Sequence, residues 1–216
     1  ELSYTNILNM LDLAGVPLFS KDRTELAPLV CVGGPCACNP EPIADFCDLV
    51  FLGDGEESTN QVLDLLKECK HAGKSKQYFL SKAKDIRGVY VPSFYVDSYN
   101  NDGTLKELKP INGAPEKVKK AVVSDMNSVY YPKSFVVPFI EIVHDRAVEE
   151  IFRGCIRGCR FCQAGFIYRP IREKSVETIN EQAKALIKST GYDEVSLCSL
   201  STSDHSRVNE MLTSLI

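Results

Sequence analysis

The sequence has 216 residues, 44% hydrophobic and 25% charged, a balance that excludes a disordered or fibrous chain and suffices for one or two folded domains. Its formal net charge of -4 gives the molecule as a whole no attraction to polyanions, so nucleic acid is not indicated as a partner. No apolar run approaches the roughly 20 residues of a membrane span and the N-terminus carries no export signal, so no membrane partner and a cytoplasmic protein are expected, in which nine cysteines point to metal or redox chemistry rather than disulfides.

In chain order, residues 5–14 place Ile7, Leu8, Met10, Leu11 and Leu13 on one helical face, with Gly15 and Pro17 as stop signals. Residues 29–32 and 48–52 are short apolar runs, each ending in glycine, and Asn39-Pro40-Glu41 between them starts a short helix. Residues 57–73 read as a longer helix with Val62, Leu63, Leu65 and Leu66 apolar and Gly73 as its cap. Residues 1–85 therefore read as part of an open α/β layer with parallel strands.

From Gly88 the pattern changes to alternating runs at 89–96 and 104–108, joined by Tyr99-Asn100-Asn101-Asp102-Gly103, which predicts a β-hairpin. Proline-containing residues 110–145 have two patches, 121–123 and 135–140, without helical period; residues 86–145 are assigned as a β-rich connector. Residues 147–152 are a strand candidate. Ser175 caps a helix over 176–190 that ends at Gly191, residues 194–200 are a second strand, and a further helix begins near Asp204. Residues 146–216 thus begin a βαβα series. Glu1 rather than Met opens the sequence and the last helix has only its first turns, so a piece of a longer protein is expected, one that need not itself turn over substrate.

Residues 153–165 read Arg-Gly-Cys-Ile-Arg-Gly-Cys-Arg-Phe-Cys-Gln-Ala-Gly, with Cys155, Cys159 and Cys162 spaced by three and then two residues. Gly154, Gly158 and Gly165 let the backbone wrap closely around a bulky inorganic group. Thiolates are the ligands of iron–sulfur clusters, usually four, so three local ones leave one iron open to a non-protein ligand. The alternative is a structural zinc or cysteine module without catalysis, completed by Cys198 or a histidine.

This Cys155-x3-Cys159-x2-Cys162 run at the end of a strand, with Phe161 before the last cysteine, resembles the signature of the radical S-adenosylmethionine (radical SAM) superfamily. The resemblance implies an Fe–S oxidoreductase-like enzyme on a partial (β/α)6 barrel, a partial TIM barrel whose first βα units lie in this sequence. It implies a [4Fe-4S] cluster on the three cysteines and S-adenosylmethionine on the open iron, with Phe161 beside the cofactors. A 5'-deoxyadenosyl radical would follow from reduction by an electron donor of flavodoxin or ferredoxin type, and no substrate is named. Where the superfamily commonly has Gly-Gly-Glu after the second strand, this sequence has Cys198-Ser199-Leu200-Ser201-Thr202-Ser203-Asp204, which puts Ser201 and Thr202 at the cosubstrate or, alternatively, in a helix-capping cluster.

Gly33-Gly34-Pro35, Asn39-Pro40-Glu41-Pro42 and Gly53-Asp54-Gly55-Glu56 resemble the latter part of the cobalamin-binding-like (Rossmann-like) domain that precedes many radical SAM barrels. More narrowly the chain is similar to an uncharacterised bacterial family in which the pair is fused to a further C-terminal domain. The Asp-x-His-x-x-Gly motif that carries the cobalt-ligating histidine is missing, so cobalamin is not expected. Cys31, Cys36 and Cys38 would, as a second cluster, make the chain resemble a methylthiotransferase acting on tRNA or another macromolecule; they are assigned instead as small buried residues, with Cys47, Cys69 and Cys198 as core. Arg153, Arg157, Arg160, Arg169 and Arg172 are either a charge balance for the cluster or donor-docking site, or solvated loop residues, and His71, His144 and His205 are assigned as surface or capping residues.

Overall fold

The computed structural model describes residues 2–215 and divides between Val122 and Val123 into two units. In the first unit the apolar spacing near the N-terminus produces helix α1, Tyr4–Leu13. Strands β1, Cys31–Val32, and β2, Leu49–Phe51, are parallel, with Cys31 opposite Leu49 and Val32 opposite Val50. Short 3-10 helices at Pro35–Cys38 and Glu41–Phe46 connect them. Helix α2, Glu56–His71, carries Glu56 and Glu57 in its first turn and Lys70 and His71 in its last, the charge order that suits a helix dipole.

Helix α3, Lys76–Ala83, escaped the sequence reading because eight residues hold too few turns to display a period, although Ser75 was a legible cap: its hydroxyl accepts from the Tyr78 N–H at 3.2 Å. Strand β3, Val89–Tyr90, pairs antiparallel with β2, so this sheet is mixed rather than parallel throughout. The expected hairpin begins later than its apolar run: Pro92 turns the chain at Pro92–Phe94, and the hairpin is formed by β4, Tyr95–Tyr99, and β5, Leu105–Pro110. Leu49, Val62, Phe79, Leu80, Val89 and Phe94 form the main core of the unit.

Buried Asp48 ties four segments of this unit together. Its carboxylate accepts from Arg23 Nε at 3.1 Å and Nη2 at 3.0 Å, from the Val30 N–H at 2.7 Å and from the Ser20 hydroxyl, and lies 2.6 Å from Lys76 Nζ. A buried carboxylate is tolerated because each lone pair is used.

The second unit holds strand β6, Ala147–Glu150, β7, Phe152–Arg153, the single-turn helix α4, Ala164–Ile167, β8, Arg172–Glu173, helix α5, Val176–Thr190, β9, Val195–Cys198, and α6, Val208–Ser214. β6 and β9 are parallel, Ala147 facing Val195 and Glu150 facing Cys198, and α5 is the crossover between them. Ser175 caps α5 through the Thr178 N–H and Gly191 follows it at φ 77°, as its sequence signals require. Ile151, Phe152, Val176, Ile179 and Met211 form the core, each large side chain contributing about 1.5–3 kcal/mol of burial. Residues 123–131 pack onto this unit: Met126 is buried, Asn127 Oδ1 accepts from the Ser175 N–H at 2.7 Å, and the Tyr131 hydroxyl donates to the Val148 carbonyl. Farther along, Val136 and Phe139 are fully exposed. Among the described residues no helix is long and apolar enough to cross a membrane.

Candidate functional site

The chain leaves β6 at its carboxyl end and enters a loop whose two ends are closed by a short antiparallel pairing. Phe152 on β7 faces Glu173 on β8, Arg153 faces Arg172, and the Lys174 N–H donates to the Ile151 carbonyl at 2.9 Å. Arg172 is buried, and its guanidinium donates to the carbonyls of Pro170 at 3.1 Å, Val123 at 3.2 Å and Tyr168 at 3.3 Å. Arg153 makes a two-point contact with Glu150, at 2.8 and 3.0 Å. Both arginines are therefore structural fasteners rather than free charges.

Gly154 sits in the neck of this loop at φ 96°, where a Cβ would lie 2.9 Å from both the Ile171 Cα and the Pro170 carbonyl oxygen. Backbone cannot give way there as a side-chain end could. Gly154→Ala is expected to cost about 2–3 kcal/mol, read as a lower melting temperature of the metal-free protein with a far-ultraviolet circular dichroism spectrum like that of the wild type; an unchanged melting temperature would show that the neck is not held as described.

Cys155 and Cys162 are partly buried and Cys159 is exposed, with the Cys162 N–H donating to the Cys159 carbonyl at 3.0 Å. Among the described residues no three His, Cys, Asp or Glu side chains are gathered closely enough to hold an ion as they stand. The donor set nevertheless fits an iron–sulfur cluster in kind: three thiols on one glycine-bearing loop, which metal binding itself would draw together. Among the described residues no cysteine is joined in a disulfide.

The turn that follows β9 carries the other predicted site residues. The Ser201 hydroxyl donates to Asp204 Oδ2 at 2.6 Å, and the hydroxyls of Ser199 and Thr202 lie 3.0 Å apart. Ser201 and Thr202 are partly exposed, and Phe161 is 94% exposed on the cysteine loop. Arg157, between the first two cysteines, reaches across to this turn: its Nε donates to Asp204 Oδ2 at 2.7 Å and its Nη2 to Oδ1. Hydrogen bonds first from Ser201 and then from Arg157 hold the Asp204 carboxyl below the usual carboxylate range. His205 is buried; its Nδ1 accepts from the Arg207 N–H at 3.1 Å, which makes Nε2 the protonated nitrogen that donates to the Lys174 carbonyl, also at 3.1 Å. The Ser206 N–H donates to Glu173 at 2.8 Å. Three consecutive residues of the turn are thus held by the cysteine loop and its neck, a partnership that sequence reasoning missed because Arg157 and Asp204 lie 47 positions apart.

Between β6 and the residue after β8 lies a buried ion pair that sequence reasoning also missed. Lys174 Nζ is 2.8 Å from Glu149 Oε1 and 2.7 Å from Gln182 Oε1, and sits 4.2 Å from the centre of the Tyr131 ring. Glu149 Oε2 has no hydrogen-bond partner among the described residues. Burial pushes the Glu149 carboxyl up despite Lys174, and burial followed by the Glu149 charge pushes the Tyr131 hydroxyl up.

Two cysteine assignments are corrected. Cys198 ends β9 facing Glu150 and is exposed rather than core. Cys31, on the edge strand β1, and Cys36 and Cys38, in the short helix after it, are exposed as residues, while Cys47 and Cys69 are buried as expected. Burial of the thiols, followed by the Asp48 charge, raises Cys31 and Cys47 to about 11, which makes both poor nucleophiles at neutral pH.

A family model described as radical SAM proteins, N-terminal, matches residues 1–92, and one described as the radical SAM superfamily matches residues 150–215. An uncharacterised protein of Methanocaldococcus jannaschii is 29% identical over 180 residues, covering 83% of this chain and 33% of the relative. The chain spans about a third of that relative's length.

Proposed function

The chain belongs to the radical SAM superfamily, and from that premise we propose that it carries the cluster-binding part of a radical SAM enzyme, in which Cys155, Cys159 and Cys162 hold a [4Fe-4S] cluster and the turn at 199–204 meets S-adenosylmethionine. One observation carries the reading. The three-cysteine loop follows β6, the turn follows the parallel strand β9, and Arg157 joins the two, so a ligand of the cluster and the backbone of the turn would meet outside the carboxyl ends of adjacent strands.

The loaded site would supply one-electron reductive cleavage of S-adenosylmethionine to methionine and a 5'-deoxyadenosyl radical, which abstracts a hydrogen atom from substrate. This chain's residues bind and orient. The three thiols provide the protein ligands, the Ser201–Thr202 backbone offers carbonyls to the cosubstrate's amino group, and exposed Phe161 has its ring available to cover the cofactors. Arg172 and the β7–β8 pairing hold the ends of the loop. An electron donor of flavodoxin or ferredoxin type and a reducing, cytoplasmic setting complete the reading.

Anaerobic reconstitution with iron and sulfide tests it. About four irons per chain are expected, with an electron paramagnetic resonance spectrum of the reduced protein that changes when S-adenosylmethionine is added. Tight binding of one zinc in preference to iron would overturn the reading in favour of a closed structural site.

A further inference from the structure

Resting on the cluster reading above, we propose that Arg157 and Asp204 form a strut that couples the cysteine loop to the cosubstrate turn, acting as positioning residues that touch neither cofactor. Arg157 lies inside the first cysteine spacing, with a single residue on either side before a proposed ligand, so any movement of the loop on loading is passed to its guanidinium. The contact is a two-point fork, which fixes orientation as well as distance, and the Asp204 side chain is only 10% exposed. Asp204 is in turn bonded to Ser201, so the position of Arg157 is transmitted to the residues expected at the cosubstrate.

The turn is also fastened where a rigid strut needs a fixed base. His205 is bonded to the Lys174 carbonyl and Ser206 to Glu173, both next to the β7–β8 neck. Those two contacts hold the far end of the turn to the fold, and Arg157 is the contact that reaches it from within the cysteine loop. The strut therefore gives a change in the cysteine loop a direct route to the turn. Coupling of this kind is reciprocal: a loaded loop favours the cosubstrate-binding form of the turn, and bound cosubstrate favours the loaded loop.

Arg157→Gln, Arg157→Lys and Asp204→Asn leave every proposed ligand in place and test the strut. After anaerobic reconstitution the variants are expected to hold as much iron as the wild type but to need about fivefold more S-adenosylmethionine for the change in electron paramagnetic resonance spectrum. Arg157→Lys, which keeps the charge and loses the fork, should lie between Arg157→Gln and the wild type. In the metal-free proteins, amide hydrogen exchange over residues 199–207 should be faster in Asp204→Asn and Arg157→Gln than in the wild type. Unchanged exchange would overturn the strut itself. Variants that load iron and titrate with S-adenosylmethionine as the wild type does would overturn the coupling alone, and variants that lose iron would overturn the assignment to cosubstrate positioning. A wild-type chain that takes up no iron would overturn the cluster reading and the coupling that rests on it, while the exchange measurement would still decide whether the strut exists.

Discussion

Alanine at any one of Cys155, Cys159 or Cys162 is expected to reduce the iron bound after anaerobic reconstitution from about four atoms per chain to below one. The size of the effect follows from the ligand count. Three thiolates are the whole protein contribution to such a site, and each holds one iron, so a missing thiolate leaves two irons without a protein ligand once the open position is included. Cys198→Ala is the informative control, since Cys198 is exposed at the end of the neighbouring strand β9. Normal iron content in this variant is the expected result. Loss of metal from Cys198→Ala would instead identify a fourth thiolate and a closed site of the structural kind. Serine at Cys31, Cys36 and Cys38 together should leave the iron count unchanged, and a wild-type protein holding well over four irons that falls in this variant would require a second cluster.

Lys174→Met is expected to destabilise the second unit by about 3–5 kcal/mol, because it strands the Glu149 carboxylate in the interior without its counter-ion. Gln182 and the Tyr131 ring would lose their ammonium at the same time. The double variant Lys174→Met, Glu149→Leu, which removes both charges and fills the space, should recover most of the loss. The deficit should also depend on pH in a definite sense. Burial already holds the Glu149 carboxyl above its ordinary value, and removing Lys174 raises it further, so the folded state binds its proton more tightly than the unfolded state. The stability associated with that proton is present below the ordinary glutamate range and is lost as pH rises through the raised folded value. Lys174→Met should therefore be closest to the wild type in acid and farthest from it above neutrality. Hydrogen exchange of peptides from α5 reads this unit by itself, and a deficit that was small or grew towards acid would contradict the buried pair.

The elements legible in the sequence are those whose local chemistry decides their form. Ser175 and Gly191 bracket α5 because a hydroxyl cap and a left-handed residue are needed at its two ends whatever surrounds it. The cysteine spacing identified the candidate ligands in the same way, since the residues that must meet one cluster lie within a single short loop. Where an element was misread, a longer-range partner had decided the matter. Val89 and Tyr90 look like the start of a hairpin, but β2 offers them a buried edge and Pro92 separates them from β4. Cys198 follows an apolar run and looks like core, yet it stands exposed at the end of its strand.

By itself the sequence determined the α/β class, the strand–helix–strand order of the second unit and the three thiols proposed as ligands, because periodicity, caps and close spacing are properties of neighbours along the chain. Only the tertiary structure decided that β6 and β9 lie side by side, that Arg157 grips Asp204, and that Lys174 is buried against Glu149. Those contacts join residues 25 to 48 positions apart, and their energies depend on exclusion of water and on the angle of a guanidinium or carboxylate, neither of which is a property of the residues taken in order.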